Sequence, residues 1–135
     1  EYFIPRDKFV SYIDGMRKIF KENSTNLLNT SVRVVHKEDI ALNYATEDMF
    51  SIVLYINQTT DKEGNEKMAK VTKELIDLTT SVGGRFFLPY QLHYTGEQLA
   101  KSYPEIDKFF EIKKKYDPGL ILTNTFYEKY RKVKL

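Results

Sequence analysis

The sequence has no cysteine, only two histidines, four prolines and six glycines, and no apolar run longer than a few residues. Without cysteine there are no disulfides, no thiolate metal sites and no cysteine nucleophile, a composition that suits a reducing cytosol. His36 and His93 lie far apart and outside any HxH or HExxH arrangement, so no metal site is expected. A stretch such as "FSIVLYI" is far short of the ~20 residues that span a bilayer, and nothing resembles a signal peptide. The expected location is the cytoplasm, with attachment to a membrane surface left open. Nucleophile elbows of the GxSxG kind, P-loops and GxGxxG loops are missing as well. A formal net charge of +2 is too small to argue for nucleic acid. Residues 101–135 hold nine Lys/Arg against five Asp/Glu, which reads as a solvated helical face.

What is present fits one compact domain. The 135 residues are 41% hydrophobic and 14% aromatic, enough for a real core. The chain opens at Glu1 without an initiator methionine, so it is expected to be a piece of a longer protein. "EYFIP" reads as a short strand, with Pro5 placed to start a helix. Phe9, Ile13, Met16 and Phe20 recur at helical spacing. "NSTNLLNT" reads as a turn or loop, and "SVRVVHK" as a strand that puts Val32, Val34 and His36 on one face. In "MFSIVLYIN" both faces are mostly apolar, which marks a central strand. "QTTDKEGNE" breaks it, and Met68, Val71, Leu75, Leu78 and Val82 predict a helix that ends at Gly83-Gly84. "RFFL" reads as one more strand.

The order strand, helix, strand, strand, helix, strand predicts an α+β fold: a ferredoxin-like split βαβ antiparallel sheet with two covering helices. C-terminal helices follow. Thr95 and Gln98 form a capping-box pair, Pro104 sits in a first-turn position, and Ile106, Phe109, Phe110 and Lys113 share one side of a helix. Asp117-Pro118-Gly119 stops that helix, and Thr123 or Asn124 caps a last one through Phe126, Tyr127 and Tyr130. The 38–48 connection is the one long link and a candidate working loop.

Taken as residues alone, His36 at a strand end, His93 after the last strand, and Tyr44 and Tyr90 are each either ligand-facing or structural. The neighbouring pairs Glu38-Asp39 and Glu47-Asp48 read as solvated. The fold class also hosts RNA-recognition domains, but "FSIVLYI" lacks the basic-Gly-aromatic lead-in they use.

"YPEIDKFFEIKKKYDPGLILTNTFYEKY", residues 103–130, resembles the C-terminal signature of FAD-linked oxidases of the vanillyl-alcohol-oxidase type. It resembles especially the branch that contains the aldonolactone oxidases and the decaprenyl-phosphoryl-ribose oxidase. Tyr103-Pro104, Asp107, Phe109, Lys113 to Lys115, Asp117-Pro118 and Asn124 match in order. "EYFIP" is similar to the strand that opens the family's substrate, or cap, domain. Residues 33–57 look like the strand, loop and strand that roof its active site. The likeness covers nearly all of residues 1–135.

The resemblance implies a C-terminal substrate domain whose FAD-binding domain lies outside residues 1–135. In such enzymes a hydride passes from a hydroxyl-bearing carbon of a small-molecule substrate to the flavin. Both branches carry, a few residues after the double glycine, a lysine that faces flavin and substrate. Counting from Gly83-Gly84, that position is Tyr90, which can donate a hydrogen bond or act as a base but supplies no fixed positive charge. The resemblance therefore implies Tyr90 as the catalytic candidate, with His36, Lys37, Tyr44, Gln91 and His93 lining the substrate pocket and Asn124 near the flavin. A free-standing ferredoxin-like module that binds a ligand or partner without catalysis is the alternative.

Overall fold

A computed structural model describes residues 1–131. Four strands form one antiparallel sheet in the order β2-β3-β1-β4, with β1 Tyr2–Pro5, β2 Asn26–Val35, β3 Met49–Asn57 and β4 Arg85–Phe86. Between them run α1, Phe9–Glu22, and α2, Lys62–Ser81; α3, Gly96–Ser102, α4, Ile106–Tyr116, and α5, Thr125–Tyr130, complete the chain. This is the α+β, split βαβ arrangement that the periodicities predict, with the "MFSIVLYIN" strand inside the sheet.

Register assigns the two faces. Tyr2 pairs with Ile52, Ile4 with Phe50, and Tyr2 with Phe86, so these side chains point the same way. Tyr2, Ile4, Ile52 and Phe86 meet Tyr12, Met16 and Phe20 of α1 and Val71, Leu75 and Ile76 of α2 in one buried core. Tyr12, which lies outside the Phe9, Ile13, Met16 and Phe20 stripe of α1, sits at its centre without exposed surface, its hydroxyl 3.0 Å from that of Thr79. Burial raises the Tyr12 phenol well above its ordinary pKa. On the other face Phe3, Ala45 and Met49 form a small second cluster with Tyr44 and Phe87.

Several boundaries differ from the sequence reading: α4 begins at Ile106 behind Glu105, so Pro104 lies ahead of its first turn, and β2 ends at Val35, short of His36. "NSTNLLNT" is not wholly loop: β2 begins at Asn26, because backbone pairing to β3 extends past the apolar alternation, with an irregularity between Leu27 and Asn29. α2 starts at Lys62 rather than near Met68. Asp61 caps it by accepting the Gly64 amide at 2.8 Å, and its first turns are polar because they project beyond the core. The strand "RFFL" shrinks to Arg85–Phe86, although the Phe87 amide still donates to the Glu1 carbonyl at 2.9 Å. The capping box of Thr95 and Gln98 is formed. Asn124, rather than Thr123, caps α5 by accepting the Tyr127 amide at 2.9 Å.

Gly83 and Gly84 set the entry to β4. Gly83 turns the chain at φ +78°, and a Cβ on Gly84 would stand 2.5 Å from the Phe3 carbonyl oxygen. Beyond β4 the chain is held by aromatic rings. Phe86 lies 4.7 Å from Tyr94 and 5.7 Å from Tyr103, and Tyr94 stacks on Tyr130 at 4.9 Å. These contacts bind α3 and α5 to the sheet edge. They also fix the segment where the candidate residues cluster.

Candidate functional site

Segment 87–94 leaves the end of β4 and turns across the sheet end where β1 begins. Tyr94 anchors it from beneath: its hydroxyl donates to the Leu88 carbonyl at 3.2 Å, and its own carbonyl accepts the Tyr130 hydroxyl at 2.7 Å. Burial pushes the Tyr94 and Tyr130 phenols far up, so both remain neutral donors. Lys129 donates to the Leu92 carbonyl. A backbone fixed at Leu88, Leu92 and Tyr94 leaves Tyr90, Gln91 and His93 at the rim of a cavity of about 620 Å³.

The cavity has an apolar floor and a polar rim. Leu54 and Ile56 of β3, Ile76 of α2 and Phe86 line the floor, while Gln58, Tyr90, Gln91 and His93 carry polar groups at the wall. Tyr90 is about half exposed, at 52%, and its ring stands edge-on to Phe87 at 4.8 Å. Nε2 of His93 lies 2.5 Å from Oε1 of Gln91. Because that amide oxygen only accepts, the ring proton belongs on Nε2, which leaves Nδ1 as an acceptor. Burial, then the positive charges of Lys129 and Lys73, lowers the His93 pKa, which favours the neutral ring.

The other candidates lie elsewhere. Tyr44, half-buried in the 38–48 loop, stacks on Phe3 at 5.1 Å and tilts against Phe87 at 5.1 Å, one ring away from Tyr90. Burial, then the carboxylates of Glu38 and Glu1, raises its pKa. His36 and Lys37 sit at the opposite end of the sheet, beyond the Pro5 end of β1. There Asp48 lies 3.3 Å from Nδ1 of His36, accepts the Lys37 amide at 3.1 Å and faces Arg6 at 3.4 Å. These donors and charges, the Lys37 amide first, hold the Asp48 carboxyl below the usual carboxylate range. Asn124 is exposed and its side-chain oxygen is engaged in capping α5. So the structure gathers Tyr90, Gln91 and His93, brings Tyr44 close, and leaves His36, Lys37 and Asn124 apart from that cavity.

Sequence reasoning passed over the polar groups of the open face. The buried Ser51 hydroxyl donates to the Glu1 carboxylate at 2.5 Å, and Arg33 approaches that carboxylate at 3.9 Å. Arg85, only 8% exposed, pairs with Glu105 and donates to the Asn43 carbonyl at 2.8 Å. The 38–48 loop is also tied internally, because the Glu38 carboxylate accepts the Tyr44 amide at 2.7 Å and the Ala45 amide at 3.3 Å. The usable signal for Arg85 was a charge at the head of an apolar strand.

An antiparallel sheet with helices on one face, a looped roof on the other and an open, amphipathic cavity at its end defines an α+β domain with room for a small molecule. The model of the D-arabinono-1,4-lactone oxidase family matches residues 1–130. The chain belongs to that family, whose members are FAD-linked oxidases. Among curated proteins none matches the chain. Among the described residues no helix is long and apolar enough to cross a membrane.

The described residues fit one part of FAD and not another. Gly84, packed on the Phe3 carbonyl, offers no cradle for a pyrophosphate, and the cavity lining contains no Lys or Arg to neutralise one. Aromatic walls and hydrogen-bonding groups that are neutral apart from Glu1 suit a flat ring and a small hydroxylated molecule against it.

Proposed function

We propose that this chain is the C-terminal, substrate-binding part of an FAD-dependent oxidoreductase. Its substrate is an alcohol, sugar or lactone-type compound oxidised at a hydroxyl-bearing carbon. The dinucleotide portion of the cofactor is held by an FAD-binding domain of the same polypeptide, outside residues 1–135. When bound, FAD supplies the hydride acceptor.

The chain's own residues bind, orient and handle the proton. Tyr90, held edge-on by Phe87, contacts the substrate hydroxyl and donates to it or takes its proton. Neutral His93, oriented by Gln91, accepts a second hydroxyl through Nδ1. The apolar floor of Leu54, Ile56 and Ile76 excludes water from beneath the bound molecule. A sheet edge is rigid enough to hold these groups within reaction distance, and an ordered approach can supply a large share of the barrier reduction. Tyr44 acts from the roof through Phe87, whereas His36, Lys37 and Asn124, which lie apart from this cavity, take no part in it.

The observation that carries this reading is the convergence of Tyr90, Gln91 and His93 on one open cavity in a chain of an oxidase family. It is tested by mixing the complete, oxidised protein with a panel of alcohols, sugars and aldonolactones under anaerobic conditions and following the flavin absorbance. Bleaching by at least one hydroxylated compound is expected. A flavin that stays oxidised with every member of the panel would overturn the proposal.

A further inference from the structure

Arg85 places a cation where hydrophobic packing alone would not ask for one. Its guanidinium makes a two-pronged pair with Glu105, Nη1 to Oε1 and Nη2 to Oε2, the second at 3.1 Å. Nη1 also donates to the carbonyl and the side-chain oxygen of Asn43, at 2.8 and 2.7 Å. The Tyr103 ring lies 4.7 Å from the guanidinium carbon. Three segments distant in sequence thus meet at one side chain: the 38–48 loop, β4 and the residue that precedes α4.

An ion pair in such a place is a weak source of net stability compared with apolar residues of the same volume. A planar fork, however, fixes direction as few other groups can. What it fixes is the residue before Tyr44. Tyr44 is clasped between Phe3 and Phe87, and Phe87 in turn meets the Tyr90 ring edge-on. The path from Glu105 to Tyr90 therefore runs through Arg85, Asn43, Tyr44 and Phe87 with a direct contact at every step.

We infer that Arg85, clamped by Glu105, is a positioning residue: it latches the 38–48 loop over the open face of the sheet and, through Tyr44 and Phe87, sets the orientation of Tyr90. The part that concerns Tyr90 rests on the proposed role of that residue at the cavity. The latch itself does not.

The test compares Arg85→Lys, which keeps the charge and loses the fork, with Glu105→Gln, which removes the clamping carboxylate and leaves the loop's own hydrogen bonds in place. Both are made in the complete protein. Amide hydrogen exchange at Tyr44 and Ala45 is expected to quicken about tenfold or more, while the β2–β3 ladder keeps its protection. Turnover is expected to fall roughly ten- to a hundredfold, as a small misplacement does, with KM little changed. Should Arg85→Lys fail to fold, Glu105→Gln carries the test alone, since it leaves every residue of the loop unchanged. Unchanged exchange at Tyr44 and Ala45 overturns the latch. A loosened loop with wild-type kcat overturns the positioning role, provided Tyr90→Phe is slow in the same assay. A silent Tyr90→Phe overturns the proposed pocket and the link to Tyr90 together, and exchange then decides the latch by itself.

Discussion

On its helical face the sheet buries Tyr2, Ile4 and Ile52 against side chains of two long helices, whereas on the other face Phe3 and Met49 are covered by the 38–48 loop and Phe87. The first face is held by apolar area, which is non-directional and tolerant of detail. The second is held by a few directed contacts: the Glu38 carboxylate on the Tyr44 and Ala45 amides, and Arg85 on Asn43. The candidate cavity opens at the end of the helical face, floored by Leu54, Ile56 and Ile76, and the roofed face reaches it through Phe87. The helical face thus carries both stability and the cavity floor, while a face roofed by a loop can be opened and tuned without unfolding the domain.

Mutations should therefore behave differently on the two faces. Leu75→Ala removes a side chain that is 1% exposed in the helical core, and is expected to cost about 2–5 kcal/mol in urea unfolding. A loss below about 1 kcal/mol would mean that the helical face is not the structural one. Tyr44→Ala on the roof deletes two aromatic contacts, each worth roughly 0.5–1.5 kcal/mol. It should cost less stability than Leu75→Ala and more activity, a reversal readable by measuring both variants for unfolding midpoint and turnover.

The cavity rim offers a pH test. His93 has a lowered pKa in the fold, so the folded state disfavours its protonated form. Its contribution to stability is complete above the unfolded histidine pKa of about 6.5 and is lost as pH falls through the lower folded value. Thermal melts from pH 7.5 down to 5 should show a smaller decline for His93→Gln than for the parent, and equal slopes would count against a partly buried neutral ring. The smallest effect belongs to the far end of the sheet. The His36 side chain is 79% exposed beside Asp48, and His36→Ala should shift stability by no more than about 0.5 kcal/mol. A large change in turnover from this variant would bring that end of the sheet into the site.

The elements that bury a continuous apolar stripe were the legible ones. α1 and the C-terminal half of α2 follow from their spacing, and the split βαβ order follows from them. The edge strand β2 and the first turns of α2 were legible only in part, because what orders them is backbone pairing and an Asp61 cap rather than apolar periodicity. Within the candidate site, Tyr90, Gln91 and His93 come from one short segment, so their convergence could be anticipated from the sequence. Arg85 could not be paired in advance, since Asn43 and Glu105 lie 42 and 20 residues away from it and no local pattern joins them. His36 was grouped with Tyr90 on the strength of the family likeness, yet β2 carries it to the opposite end of the sheet from the cavity.

The most direct measurement is anaerobic stopped-flow reduction of the flavin in the complete protein, parent against Tyr90→Phe, with a substrate found in the bleaching panel. Tyr90 at the cavity wall, in contact with the reacting hydroxyl, predicts reduction slowed by roughly a hundredfold at an unchanged melting temperature. Identical reduction rates in the two proteins would contradict it.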